Sequence, residues 1–234
     1  MTGVLRSPNI WDSPHVYELE NRAADPYREV DAALERLHPL AGVVVVDVGC
    51  GSGFHLPRLA ARGAHVVGVE PHPPLVALAR DRLRGGAATA RRRAVVLCGW
   101  AEALPLATGS VDVVCARWAY FFGAGCEPGL AEAQRVLRPG GVVAVVDVDA
   151  TRSTFGRWFR GGYPAYDPEG TERFWARQGF TTERLTVPLA FRRRADLEAV
   201  LRIELPPEAA ARAIAEHAGL VVDQAVALRW RRTG

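Results

Sequence analysis

The chain has 234 residues, 49% hydrophobic and 24% charged; this ordinary globular composition excludes a disordered protein and allows a sizeable core. Its net charge of +3 is mild and its basic residues are all arginine, which excludes a lysine nucleophile or Schiff base. No apolar run approaches the ~20 residues of a membrane span, and the first residues lack a signal-peptide core, so a cytoplasmic protein without membrane contact is expected.

Residues 1–11 carry no strong signal. Asp12-Ser13-Pro14 starts a predicted helix running to about Ala24, with Val16, Leu19 and Ala23 on one face, and Pro26 opens a second through Leu37. Residues 43–53, VVVVDVGCGSG, then organise the chain. Four valines read as a central parallel strand buried on both faces. Asp47 ends the run, and Gly49, Gly51 and Gly53 follow at every second position. Residues 54–62 read as a helix with Pro57 in its first turn. Strand, glycine loop and helix make a nucleotide-binding turn. A dinucleotide fingerprint is G-x-G-x-x-G; here Phe54 stands at its third glycine, and an acid precedes the loop. That acid repels a pyrophosphate and suits a ligand with an ammonium group. A second strand at 65–69 ends at Glu70, placed to accept hydrogen bonds from ribose hydroxyls.

A helix at 73–84 ends at Gly85-Gly86, and Arg91-Arg92-Arg93 leads into a third strand at 94–98. The loop GWAEALPLATGS follows, then a fourth strand at 111–116. Ligands in open α/β sheets bind beyond the carboxyl ends of the strands. Arg117, Trp118, Tyr120, Phe121 and Phe122 therefore stand at a site rim, either lining an apolar pocket or plugging the core beneath it. A helix at 128–137 precedes a fifth strand at 142–148, which brings Asp147 and Asp149 to the same rim. The aromatics of 151–179 suggest a loop or short helices over that site. Further predicted elements are a helix at 169–178, a strand at 180–190, helices at 195–203 and 207–217, and a last strand at 221–230.

The four cysteines form no C-x-x-C pair and read as reduced core residues. No His/Cys/Asp cluster has metal-ligand spacing, so no metal is expected. The short arginine clusters read as solvated caps, without the stacking aromatics of a nucleic-acid surface.

DVGCGSG followed by VVGVEP is similar to the first two motifs of class I S-adenosylmethionine-dependent methyltransferases. LRPGG before the apolar run VVAVV resembles the family's turn into its fifth strand, and GWAEALP with GSVDVV resembles its adenine loop and fourth strand. The resemblance covers about residues 43–148. It implies an α/β, Rossmann-like, doubly wound, mostly parallel seven-stranded sheet with N-terminal helices, a helical or loop cap, and an antiparallel last strand. The expected organisation is one domain over 1–234: an N-terminal helical cover at 1–40, a cofactor-binding core at 41–150, and acceptor-side additions at 151–234. S-adenosylmethionine is the implied cofactor.

Its implied contacts are Asp47, Gly49, Cys50, Gly51, Gly53, Glu70, Pro71, Trp100, Ala101, Glu102 and Arg117. Where the family often has an aspartate for the adenine amine, this chain has Trp100, which cannot accept that bond but can stack on the purine. Tyr17 is a candidate to lie over the sulfonium; the plainer alternative is that it packs on the domain. Trp118, Tyr120, Phe121, Phe122 and Asp147 form the expected acceptor pocket. A general base is optional; Asp147 is better placed for it than His15, His55 or His72. The expected reaction is in-line methyl transfer to oxygen or nitrogen of a small molecule by a monomer or homodimer, with no nucleic-acid partner. The alternatives are a non-catalytic nucleoside-binding protein of the same fold and a nicotinamide-dependent oxidoreductase, which the glycine spacing disfavours.

Overall fold

Asp25, not Pro26, sets the first well-capped helix of the chain: its two carboxylate oxygens accept from Glu29 N–H at 2.7 Å and Val30 N–H at 3.0 Å. Those bonds satisfy two of the helix's first free donors, and Arg28 turns into the left-handed region at φ 58° to let the chain enter. The computed structural model describes residues 7–119 and 124–234. The N-terminal part holds α1 (Pro8–Asp12), α2 (Pro14–Ala23) and α3 (Glu29–Leu37). The first of these was not anticipated, although Ser7-Pro8 carries the proline-first signal of a helix start.

The core follows as β1 (Val44–Val48), α4 (Leu56–Ala61), β2 (His65–Glu70), α5 (Pro73–Gly85), α6 (Ala88–Arg93), β3 (Ala94–Cys98), β4 (Val111–Arg117), α7 (Glu127–Val136) and β5 (Leu137–Val148). The remainder is α8 (Thr154–Gly162), α9 (Pro168–Arg177), β6 (Thr181–Thr186), β7 (Leu189–Ala190), α10 (Arg194–Glu204), α11 (Pro207–Glu216), β8 (Val221–Val222) and β9 (Ala225–Arg232). Ser153 and Asp167 cap α8 and α9 by accepting from Gly156 N–H and Gly170 N–H.

Among the described residues, seven strands form one sheet in the order β3-β2-β1-β4-β5-β9-β6. The first five pair in parallel and β9 is antiparallel to both its neighbours. Alternating side chains of β1 feed opposite faces: Val46 and Val48 pack with Leu130 and Ala133 of α7 and Trp175 of α9, whereas Val45 packs with Leu56 of α4 and Val76 of α5. Such two-sided coverage is what a run of valines requires. A separate apolar cluster, built on Phe155, Trp158, Leu197 and Leu201, joins α8, α10 and α11 beyond the carboxyl edge of β5.

Two expected strands are each broken in two. The segment 180–190 pairs with β9 only as far as Thr186; Pro188 cannot donate to a ladder, and Leu189–Ala190 crosses to pair with β8. The segment 221–230 breaks where Asp223 leaves the sheet to accept from Thr154 N–H at 2.9 Å. No helix among the described residues is long and apolar enough to cross a membrane.

Candidate functional site

The glycine loop leaves β1 with Gly49, Gly51 and Gly53 at φ 69°, 56° and 73°, a backbone region that L side chains rarely adopt. Its N–H groups turn inward. Those of Gly49 and Cys50 donate to Val69 O at 2.8 and 3.1 Å, and that of Gly51 donates to Glu70 Oε2 at 3.0 Å. A phosphate cradle needs such groups aimed at the ligand. Here they are engaged by the chain, so the loop is a close-approach surface rather than an anion site. A Cβ on Gly51 would lie 2.6 Å from Ile10 Cδ1, so α1 sits directly over it. Trp11 of the same helix stacks on His72 at 4.1 Å between ring centres.

Glu70 ends β2 at 4% exposure. Its other oxygen accepts from His72 N–H at 3.0 Å. Burial raises its pKa and the two backbone bonds oppose that rise. The carboxylate is held by backbone and not by an arginine, and each oxygen keeps a further lone pair for a ligand.

Asp47 is buried beside an ion pair. Burial pushes its carboxyl up to about 6, against the pull of Arg117, with Asp31 pushing the same way as burial. Arg117 Nη2 lies 3.2 Å from Asp31 Oδ1, with both side chains buried, so α3 is tied to the end of β4. Arg117 Nη1 also donates to His55 Nδ1 at 2.9 Å. A guanidinium only donates, so Nδ1 is the acceptor and the proton of His55 sits on Nε2. Burial, then Arg117, holds this imidazole well below its usual range. Its free nitrogen lone pair is thereby occupied, which removes His55 as a general base.

Pro71, Trp100, Ala101 and Glu102 line the opposite wall of the cleft. Trp100 is 49% exposed, bound to the fold mainly through backbone: Ala103 N–H donates to Trp100 O at 3.2 Å. Tyr17 and Trp118 line both this cleft and a neighbouring chamber of about 750 Å3. The pKa of Tyr17 is raised well above 10 by burial and by Glu20, Glu204 and further acids, so it is a neutral phenol. Trp118 takes a left-handed backbone at φ 50°, pinned by its N–H to Val146 O at 2.8 Å. Asp147 lines the chamber, with Oδ1 accepting from Val148 N–H at 2.9 Å.

A family profile described as "Methyltransferase domain" matches residues 46–145, the stretch that builds the glycine loop, Glu70, the Trp100 loop and β4–β5. That stretch of the chain is similar to methyltransferase domains. An uncharacterized methyltransferase of Mycobacterium tuberculosis is 37% identical over 116 residues, 49% of this chain and 43% of that protein. The ubiquinone biosynthesis O-methyltransferase of Rhizobium rhizogenes is 32% identical over 113 residues, 48% and 44% of the two chains. The chain spans about half the length of the curated relatives it matches. Among solved structures, the YcgJ protein of Bacillus subtilis superposes with a TM-score of 0.63 at 15% identity, over 88% of this chain and 98% of that one, which is a likeness of fold.

Within this fold the expected residues fall in different places. Tyr17, Asp47, Gly49, Cys50, Gly51, Glu70, Pro71, Trp100, Ala101, Glu102, Arg117 and Trp118 line the cleft. Gly53 does not line it; a Cβ there would meet Ala79 Cβ at 2.9 Å, so this glycine serves the packing of the loop on α5. Tyr120, Phe121 and Phe122 lie outside the described residues. Asp149 reaches the rim but binds Arg184 at 3.1 Å and Arg152 at 3.3 Å. Sequence reasoning missed Ile10, Trp11, Asp31, Glu20, Glu204 and Gln224. Only the first two had a local signal, the Ser-Pro helix start.

Proposed function

We propose that the protein binds S-adenosylmethionine in the glycine-loop cleft and transfers its methyl group to oxygen or nitrogen of a small molecule held in the adjoining chamber. The observation that carries this reading is the inward-turned loop, flanked by the buried carboxyls of Asp47 and Glu70 and opening past Tyr17 and Trp118 into a second cavity. The residues fit that donor. Glu70 has lone pairs for a ribose diol, Asp47 suits the amino group of the methionine part, and Trp100 offers a face for the purine beside the Ala101 backbone. The close backbone at Gly49 and Gly51 leaves room where a side chain would not fit. When bound, the donor supplies a methyl already activated by its sulfonium, so the protein needs chiefly to orient and to exclude water. Tyr17 and Trp118 do so at the junction of the two cavities, and α1 covers the loop.

Calorimetric titration with S-adenosylhomocysteine and with NAD tests the donor. Binding of the first and none of the second is expected; micromolar NAD binding alone overturns the reading. Mass spectrometry of a metabolite extract incubated with protein and donor then identifies an acceptor by a gain of about 14 mass units, one CH2.

A further inference from the structure

We infer that the chamber is built for a small apolar molecule bearing an amino group, and that this nitrogen is the methyl acceptor. The inference rests on the donor reading above and adds the chemical class of the acceptor.

Glu20 on α2 and Glu204 at the end of α10 both line the chamber and are hydrogen-bonded carboxyl to carboxyl. Two carboxyls can join in that way only with at least one proton on the pair, so it carries at most one negative charge. Asn9 Nδ2 donates to Glu204 Oε1 at 2.5 Å and fixes the pair to α1. Independently, Gln224 lines the same chamber at 3% exposure, and its Oε1 has no hydrogen-bond partner among the described residues. Buried polar atoms are normally paired, so an orphaned acceptor in the same cavity as the carboxyl pair points to a ligand that donates N–H.

The remaining walls include Phe155, Phe159 and Leu189, which suit an apolar body. An ammonium presents three donors and no acceptor, and matches both the orphaned Gln224 oxygen and the carboxyl pair. An alcohol presents one donor. A carboxylate presents none and faces Glu204, Asp147 and Asp167, with Arg177 the balancing cation at an exposed position. Burial raises the pKa of both Glu20 and Glu204.

Glu20 stands three residues after Tyr17, on the same face of α2. A nitrogen held by the pair therefore lies one helical turn from the phenol that marks the junction with the donor cleft. In the transfer the ammonium gives one proton to the carboxyl pair. The freed nitrogen lone pair forms the new N–C bond, the C–S bonding electrons remain on sulfur, and the pair passes its proton to water.

The test is calorimetry on protein saturated with S-adenosylhomocysteine, using matched ligands: 2-phenylethylamine, 2-phenylethanol and phenylacetate, and the tryptamine, tryptophol and indole-3-acetate set. The amine should bind roughly tenfold or more tighter than its alcohol in at least one set. Glu20→Gln and Glu204→Gln each leave one carboxyl and should keep the preference; the double variant should lose it. Gln224→Leu should weaken amine binding and leave S-adenosylhomocysteine affinity unchanged, which keeps the idea testable if the double variant fails a thermal melt. No amine preference in either set overturns the inference, as does a folded double variant that keeps it. Failure of S-adenosylhomocysteine to bind is read in its own titration and overturns the donor reading instead.

Discussion

Gly51 N–H donates to Glu70 Oε2 at 3.0 Å, so the acid expected to hold the ribose also holds the loop beneath it. One carboxylate thus links the shape of the cleft to its affinity. Glu70→Ala should lower donor affinity by roughly tenfold to a hundredfold. It should also destabilise the ligand-free protein by ~1–3 kcal/mol, because the N–H groups of Gly51 and His72 lose their acceptor. Glu70→Gln should fall between. Calorimetry and a urea melt on the same samples check both effects; a loss of affinity at unchanged stability would show that the two bonds do not hold the loop.

The Asp31–Arg117 pair is buried on both sides, with Asp31 Oδ2 and Arg117 Nε lacking partners among the described residues. Removing one member leaves an uncompensated charge, so Asp31→Ala should cost about 3–5 kcal/mol in urea unfolding. The double variant Asp31→Leu, Arg117→Met should recover most of that. Arg117→Met should also raise the pKa of His55 toward its ordinary value, read by NMR titration of the imidazole.

Asp47 and His55 give the ligand-free protein opposing pH slopes. The folded state takes a proton on Asp47 near pH 6, before the unfolded chain does, so a fall in pH from 6 toward 4 favours folding through this group. His55 has a depressed pKa; its contribution is present above about pH 6.5 and is lost as pH falls, since the unfolded chain protonates first. Asp47→Asn should therefore stabilise the ligand-free protein at pH 7–8 by on the order of 1–3 kcal/mol. Its stability should then decline more steeply below pH 6 than that of the parent, while donor affinity falls. Denaturant melts across pH 5–8 would refute this if the two curves ran parallel.

Trp100 is half exposed and packs little, so Trp100→Ala should shift stability by no more than about 0.5 kcal/mol. Loss of its stacking face should weaken donor binding by roughly threefold to tenfold. A clear drop in melting temperature with donor affinity intact would assign the ring to the fold instead.

The parts of this molecule that were legible in the sequence are local. Valines, Gly49, Gly51 and the acids Asp47 and Glu70 occupy fixed offsets within one strand–helix–strand unit, and the structure brings these two glycines and both acids to the cleft. Pairings across the chain were not legible. Asp31 meets Arg117 across 86 residues, and Asn9 meets Glu204 across 195; no pattern near either residue marks its partner. The broken strands failed for a different reason. Alternation continues through Pro188 and Asp223, but the first cannot donate to a ladder and the second is taken by α8.

The placement of β9 between β5 and β6 bears on how the protein is made. Synthesis runs from the N-terminus, and strands β3, β2, β1, β4 and β5 can pair as they emerge. β6 cannot join them, because its ladder partner β9 is still to be translated. Throughout that interval β5 keeps an open edge, which is the kind of surface on which chaperones act. The parallel part of the sheet is thus able to assemble early, and its antiparallel part is completed by the arrival of a single late strand.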